Sequence, residues 1–313
     1  MDKSDGFSWR VDQKPGRIGS GHLETRLRES LDFLSTRFGV SVPKRGRHRV
    51  ALEILERWNE ADVAIDLSDK EELRRITEAH RLAWETFLIT VAAVEDRRNH
   101  RTPFTHEKLS LMLGGDVVVE GRRGTHRDTQ FELFLAAMLR LPGLSVTCGE
   151  PDLRLIYGKE DVGVAVKRIR SLNVDQVQKR AREGAEQIER EGLRGWIALN
   201  LDSRFAVVDY AQDEGSLLAD FSKAFDSVNA ALRRPAMKRH VLGFILLGYV
   251  CSWHPPETGT TEPRLHWAAP LRWQGLTEMP AEVALFQEFT NRWADRWAVR
   301  LRTISSKDFV GLL

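Results

Sequence analysis

The 313-residue sequence predicts an α/β protein, in which a mixed β-sheet flanked by helices follows a separate module of helices. Three observations support this prediction. Apolar residues recur at helical spacing through the first third of the chain, short β-rich runs then alternate with helical segments, and the 42% hydrophobic content can fill an interior. Only two cysteines are present, Cys148 and Cys251, so a disulfide framework is excluded and a reducing cytoplasm is expected.

The N-terminal third is predicted to be helical. Residues 1–20 mix Gly, Pro and charged residues without an apolar stretch, so we expect a flexible lead-in and no secretory signal. Between residues 21 and 115 the apolar residues follow a helical period, as in Leu27, Leu31 and Leu34 and in the segment 71–94. We therefore assign residues 21–115 to a helical module.

Residues 116–275 are predicted to form the α/β core. A helix is expected over residues 129–141, with Asp128 as its N-cap, followed by strands at 144–148, 153–157 and 162–169. A charged helix at 174–191, a strand at 195–201, a helix at 217–232 and an apolar strand at 241–251 come next. This order favours parallel pairing of the later strands.

The C-terminal residues 276–313 are predicted to supply a helix that packs on this core. A strand-like piece at 266–273 precedes the helix, which is expected over residues 281–298. Its large apolar side chains recur at helical spacing, which is typical of a helix face buried against a sheet. These residues are Leu285, Phe286, Phe289, Trp293 and Trp297.

The charge balance limits the kind of partner. The 47 basic and 45 acidic side chains nearly cancel, so any nucleic-acid contact has to come from a local patch of positive charge. No run approaches the roughly 20 apolar residues that a bilayer-spanning helix requires, so no membrane association is expected.

Glu132, Asp152 and Lys167 are the candidates for chemistry. In the helix predicted at 129–141, Glu132 lies on the apolar face, where its carboxylate needs hydrogen bonds, a cation or a metal ion. Asp152 opens one predicted strand, and strand alternation puts Ala165 and Lys167 on one face of the next. If these strands pair, Asp152 and Lys167 meet near one edge of the sheet, with Glu132 reaching in from the preceding helix.

These residue types fit the hydrolysis of a phosphodiester. Carboxylates such as Asp152 and Glu132 hold Mg²⁺ or Mn²⁺, and the ion polarises the phosphoryl group and activates water. A lysine beside the ion, here Lys167, orients or deprotonates that water and neutralises developing charge.

The arrangement resembles the PD-(D/E)xK signature of restriction-endonuclease-like nucleases. The matching residues are Pro151-Asp152 and Ala165-Val166-Lys167, preceded by the helix that bears Glu132, and the likeness spans residues 116–275. It implies a restriction-endonuclease-like sheet and a Mg²⁺-dependent (or Mn²⁺-dependent) DNA endonuclease of the kind used in bacterial restriction or antiviral defence. Its site would comprise the catalytic positions Glu132, Asp152, Ala165 and Lys167, the metal ligands Glu132, Asp152 and Val166, and nucleic-acid contacts at Arg168, Arg170 and Gln187.

The sequence departs from this signature at one position. Ala165 stands where the signature has Asp or Glu, and because a methyl group cannot bind metal, we expect poor cleavage. Three explanations stay open: a deliberate inactivating substitution, Glu132 as a migrated ligand, or a naturally inactive site retained for binding or assembly. The alternative to any nuclease is an ordinary α/β domain in which Asp152 and Lys167 form a structural ion pair.

A second, weaker resemblance concerns RNA. Arg101 and His106 have the Arg-x4-His spacing of the metal-independent ribonuclease motif of HEPN domains, although Arg75 and His80 share that spacing and Pro103 interrupts the first pair. Zinc-ligand spacings, a phosphate-binding Gly-x4-Gly-Lys loop and a Gly-x-Ser-x-Gly elbow are absent from the sequence. We expect DNA as the partner, with RNA as the alternative, and a protein partner or a second copy bound through the N-terminal helices.

Overall fold

The computed structural model describes residues 20–59, 69–114, 125–169, 173–201, 223, 226, 228, 232, 240–248, 250–254, 264–268, 271–276 and 280–306. These residues form seven helices and eight strands. The chain divides into two compact units, whose described parts are residues 20–148 with 296–306, called the helical unit, and residues 149–295, called the sheet unit.

The helical unit is built around its longest helix, α3, which contacts α1, α2 and α5. Apolar residues of these helices, such as Leu27, Leu55, Phe87 and Leu135, are fully buried, as expected of helices with an apolar face. The unit extends to Cys148 and so passes the boundary predicted at residue 115. Asp69 caps α3 by accepting hydrogen bonds from Glu71 N and Glu72 N. The helices are α1 (Ser20–Phe38), α2 (Arg47–Asn59), α3 (Lys70–Glu95), α4 (His106–Leu113) and α5 (Thr125–Arg140).

Two differences from prediction concern α5. The helix begins at Thr125, so Asp128 lies inside its first turn and the predicted N-cap is wrong. Helix α5 also packs on α3, whereas the sequence placed it in the α/β core. Its residues from Leu133 to Leu139 are all buried, and such a helix has no polar face to show on which side its neighbours lie.

The main sheet has six strands in the order β1-β2-β3-β4-β5-β8. Strands β3 and β4 and strands β4 and β5 pair in parallel, whereas β2 with β3 and β5 with β8 pair antiparallel, so the predicted mixed sheet of an α/β fold is confirmed. The strands are β1 (Val146–Gly149), β2 (Asp152–Tyr157), β3 (Glu160–Arg168), β4 (Gly195–Asn200), β5 (Val241–Leu247) and β8 (Leu271–Gly275).

Two predicted strands are each divided. The apolar run 241–251 forms β5 and the start of β6 (Val250–His254), and the piece 266–273 contributes to β7 (Arg264–Ala268) and β8. Strands β6 and β7 form a separate antiparallel pair. Most of the predicted helix 217–232 lies outside the described residues.

Helix α6 (Val174–Arg190) connects β3 to its parallel neighbour β4 and contacts both strands. Asn173 caps it by accepting a hydrogen bond from Asp175 N at 2.8 Å. Its buried face consists of small and branched residues at helical spacing, which lets the helix lie close to the sheet. This face comprises Val177, Ala181, Gly184, Ala185 and Ile188.

Helix α7 (Pro280–Ser306) carries the aromatic stripe that was predicted to pack on the core. Within the sheet unit, the Phe286 ring stacks on Trp196 at 5.3 Å, and Phe289 and Trp293 contact Trp273 at 5.4 and 6.1 Å between ring centroids. All five rings are buried, so Phe286, Phe289 and Trp293 pack on the sheet as predicted. Of the other two residues of the predicted stripe, Leu285 is half-buried and Trp297 is buried but belongs to the helical unit. None of the described helices combines the length and apolar character needed to cross a bilayer.

Candidate functional site

The pairing of β2 with β3 brings Asp152 and Lys167 onto one face of the sheet. Leu153 lies opposite Val164, so continuing this antiparallel register by one residue places Asp152 opposite Ala165. Residues that oppose each other across antiparallel strands point to the same face, and Lys167 shares that face with Ala165 by strand alternation. The prediction made from alternation alone is therefore confirmed.

Gly163 of β3 lets Pro151, the residue before β2, pack closely against β3. A Cβ atom on Gly163 would lie 2.6 Å from Pro151 Cδ, so any larger residue would displace the proline. The Glu150–Pro151 peptide bond is cis. This close approach sets the position of Asp152, the residue that follows Pro151.

Four side chains from β2, β3, α6 and the turn before β2 form a hydrogen-bonded group that we call the polar cluster: Glu150, Asp152, Lys167 and Gln187. Lys167 Nζ donates to Gln187 Oε1 at 2.6 Å, to the Val166 carbonyl oxygen at 3.2 Å and to Asp152 Oδ2 at 3.5 Å. Asp152 Oδ2 also accepts from Val166 N at 2.7 Å.

Gln187 connects both ends of the polar cluster. Its Nε2 donates to Asp152 Oδ1 and to Glu150 Oε2, each at 3.3 Å, and to the Pro151 carbonyl oxygen. Its Oε1 meanwhile accepts from Lys167. One amide group thus holds a carboxylate on one side and an ammonium group on the other.

The carboxyl group of Asp152 is perturbed by its surroundings. Burial raises its pKa above the ordinary value, and the charge of Lys167, the Val166 N–H and the Gln187 amide offset only part of that effect. The side chains of Asp152 and Lys167 keep 25% and 18% exposure, which leaves this pair accessible from solvent.

Two residues of the polar cluster make contacts that were not predicted from the sequence. Gln187 was expected to contact nucleic acid, whereas its hydrogen bonds join Asp152 to Lys167. Glu150 was not predicted at all, although it directly precedes the Pro151-Asp152 pair. Its signal in the sequence was this position, two residues before the first residue of the strand, which keeps it near the same sheet edge.

Glu132 is located in α5 of the helical unit, where it forms an ion pair with Lys108 of α4. Its side chain is 14% exposed. Of the three alternatives for a carboxylate on that helix face, the structure bears out the matching cation. A role as a migrated metal ligand would require this pair to open.

Ala165 is fully buried in a hydrophobic cluster that includes Ala181, Ala185 and Ile197. Helix α6 lies so close to it that a Cβ atom on Gly184 would be 3.4 Å from the Ala165 methyl group and 3.0 Å from Ile197 Cγ2. Hydrocarbon packing therefore fills the position where the signature has its second carboxylate.

We expect the substitution Ala165→Glu to destabilise the protein by about 1–3 kcal/mol, because it overpacks a filled core and brings a charge into it. Urea unfolding of the variant and the original chain measures this difference, and Ala165→Ser is the control of similar volume. Unchanged stability of the Glu variant would show instead that residue 165 can direct a carboxylate out of the core toward Asp152.

The oxygen donors at the polar cluster suit a magnesium ion that also binds substrate. Among the described residues, no group of three or more His, Cys, Asp or Glu side chains is arranged to hold a metal. Mg²⁺, however, commonly binds through one or two carboxylates together with waters and substrate phosphates. Asp152 and Glu150 offer such carboxylates, and Val166 offers its carbonyl oxygen.

Comparisons with models of protein families, with curated proteins and with solved structures gave no match. The likeness to PD-(D/E)xK nucleases therefore rests on the residues of this chain alone.

The basic residues expected to contact nucleic acid are only partly described. Arg168 is half-buried at the end of β3, and Arg170 lies outside the described residues. On α6, Lys179 and Arg182 are exposed, while Arg180 forms an ion pair with Glu183 at 2.7 Å. Positive charge is thus present on the helix that supplies Gln187.

The members of each Arg-x4-His pair have different neighbours among the described residues. Arg101 lies in the turn before α4 and its carbonyl oxygen accepts from Cys148 N, whereas His106 begins α4 with its Nε2 3.4 Å from the Gly39 carbonyl oxygen. In the second pair Arg75 is exposed, but His80 is buried in α3 with its Nδ1 2.8 Å from the Ile76 carbonyl oxygen.

Proposed function

We propose that the sheet unit is a restriction-endonuclease-like domain that hydrolyses DNA phosphodiester bonds at the polar cluster. The observation that supports this proposal most is the convergence of Asp152, Lys167 and Gln187, from three different elements, in one accessible hydrogen-bonded group. The order of antiparallel β2 and β3, crossover helix α6 and parallel β4 agrees with the resemblance to these nucleases.

In this proposal each residue of the polar cluster has a distinct task. The Lys167 ammonium group, held by Gln187 Oε1, faces the phosphate, neutralises charge that develops there and orients the attacking water. Asp152 acts as the ionised carboxylate, and Gln187 keeps it beside Lys167. A Mg²⁺ or Mn²⁺ ion bound by Asp152, with Glu150 and the Val166 carbonyl as further oxygen donors, would supply Lewis-acid polarisation of the phosphoryl group.

The test measures nicking of supercoiled plasmid DNA by the full chain with MgCl₂ or MnCl₂. We expect slow cleavage, because Ala165 cannot contribute a carboxylate, and at least a tenfold loss in Asp152→Asn and in Lys167→Met, equivalent to about 1.4 kcal/mol of transition-state stabilisation. Glu186→Gln and Lys179→Met change exposed residues of α6 and serve as matched charge controls. Cleavage that survives both site substitutions would contradict the proposal.

A second candidate function is binding of DNA without cleavage. The packing of Ala165 under Gly184 and the pairing of Glu132 with Lys108 favour it, because both leave fewer carboxylates for metal. Electrophoretic mobility shifts on the same samples separate the two candidates, since the second requires DNA binding that weakens with salt and is not accompanied by nicking.

The metal-independent ribonuclease alternative is tested by incubating RNA with the chain in EDTA and measuring its cleavage.

A further inference from the structure

A cleft in the helical unit is lined mainly by arginines. It lies between α2, α3 and the first turn of α5 and encloses about 500 Å³, including space open to solvent. Its charged lining consists of five guanidinium groups and one carboxylate, from Arg47, Arg74, Arg75, Arg81, Arg127 and Glu78. Such an excess of one sign in a concave site concentrates ligands of the opposite charge.

Arg47 is the buried member of this lining. The residue is 4% exposed, and its Nη2 donates to the carbonyl oxygens of Met112 and His126 at 2.9 and 3.3 Å. Its Nε has no hydrogen-bond partner among the described residues. Burial lowers the pKa of Arg47 to about 9, which is above neutral pH, so the group stays charged. The charges of Glu85 and Glu78 also stabilise this cation, and its Nε atom is still left for an anionic ligand.

The single carboxylate of the cleft does not cancel this charge. Glu78 forms an ion pair with Arg81 at 2.7 Å. Burial by itself would raise the pKa of Glu78, but the charges of Arg81 and Arg127 outweigh burial and hold it below the ordinary value. Arg74 also pairs with Glu71 and Arg81 with Glu85, so five arginines against these three carboxylates leave a net positive charge around the cleft.

The remaining lining is apolar. Ala51 and Ile54 of α2 face Ala79 and Leu82 of α3 across the cleft. A ligand that fits both parts carries an anionic group and an organic group of moderate size, and the planar fork of arginine favours phosphate as the anion.

We propose that this cleft binds the phosphate group of an organic ligand. Its phosphate contacts Arg47, Arg75 and Arg127, and its organic part lies against Ile54 and Leu82. The proposal concerns the helical unit alone and stands independently of DNA cleavage at the polar cluster.

Titration calorimetry of the full chain in EDTA tests the proposal with inorganic pyrophosphate, ADP and adenosine as probes. We expect pyrophosphate and ADP to bind, and adenosine to bind at least tenfold more weakly than ADP. Arg75→Gln and Arg127→Gln are each expected to weaken ADP binding at least tenfold, whereas Arg98→Gln, an exposed arginine of the same unit outside the cleft, leaves it unchanged. Arg47 is left intact because its burial also supports the fold.

Two outcomes would overturn the proposal: no binding of ADP or pyrophosphate at about 1 mM, or binding that both cleft substitutions leave intact. A further pair of probes, a single-stranded oligonucleotide with and without a 5′-phosphate, identifies the source of the phosphate. Preference for the phosphorylated end that is lost in Arg127→Gln supports the same site and assigns it to a strand terminus. If both oligonucleotides bind equally weakly while ADP binds tightly, the bound phosphate belongs to a free small molecule.

Discussion

Replacement of Trp273 by Ala is expected to lower the free energy of unfolding by about 3–5 kcal/mol. Trp273 of β8 is 0% exposed and lies at the centre of the aromatic packing between the sheet and α7. Its ring contacts Trp196 edge-on at 5.2 Å and also meets Phe289 and Trp293. The truncation removes a large apolar surface from this packing and leaves a cavity that rigid neighbouring rings cannot close.

Trp273→Phe is the control for this prediction. The indole Nε1 of Trp273 is buried without a hydrogen-bond partner among the described residues, so the substitution gives up no hydrogen bond and keeps an aromatic ring. We expect Trp273→Phe to lower the free energy of unfolding by well under half as much as Trp273→Ala does. Urea unfolding followed by circular dichroism measures both, and equal stability of the Ala variant and the original chain would show that this packing contributes little.

Acidification from pH 7 to pH 4 is expected to remove about 3 kcal/mol of stability through His80. Burial in α3 lowers the pKa of this imidazole from 6.5 to about 4. Above pH 6.5 the ring is neutral in both folded and unfolded chains, so its contribution is complete. Between pH 6.5 and 4 the unfolded chain takes up the proton first, which favours unfolding. Burial shifts the pKa of His48 in the same direction, so the loss is not confined to one residue.

The measurement is a series of urea unfolding curves between pH 7 and pH 4. His80→Phe keeps an aromatic ring beside Trp58, whose ring centroid lies 6.1 Å away, and cannot titrate. We expect this variant to lose about 3 kcal/mol less on acidification, whereas His100→Gln, at an exposed position, behaves as the original chain does. The titration of Asp152 opposes this loss of stability. Because its pKa is raised, the folded chain binds a proton before the unfolded chain does as the pH falls, which favours the folded state.

Much of the fold could be predicted because the relevant signals are local. Helical spacing identified the helices of the helical unit, and strand alternation placed Asp152 and Lys167 on one face. The aromatic spacing of residues 285–297 identified the buried side of α7. In each case the period of the pattern alone determines which side chains point together.

The remainder depends on contacts between distant segments. An apolar run does not show where one sheet ends, so the division into β5 and β6 was missed. The pairing of Glu132 with Lys108 requires α4 to lie beside α5, and the arginine cleft requires residues 47, 75 and 127 to meet. For Ala165, residue identity showed the loss of a carboxylate, whereas only the packing of α6 shows that hydrocarbon fills the space.

The closeness of α6 to β3 has a consequence for how this chain can diverge. A methyl group added at Gly184 would lie 3.0 Å from Ile197 Cγ2 and 3.4 Å from the Ala165 methyl group, so Ile197 would have to shift to admit it, and Gln187 follows Gly184 by one helical turn. A side chain larger than that of alanine at position 184 would displace Ile197 or the helix, and a displaced helix would carry the Gln187 amide away from Lys167. Descendants of this sequence that keep the polar cluster should therefore keep a small residue at position 184.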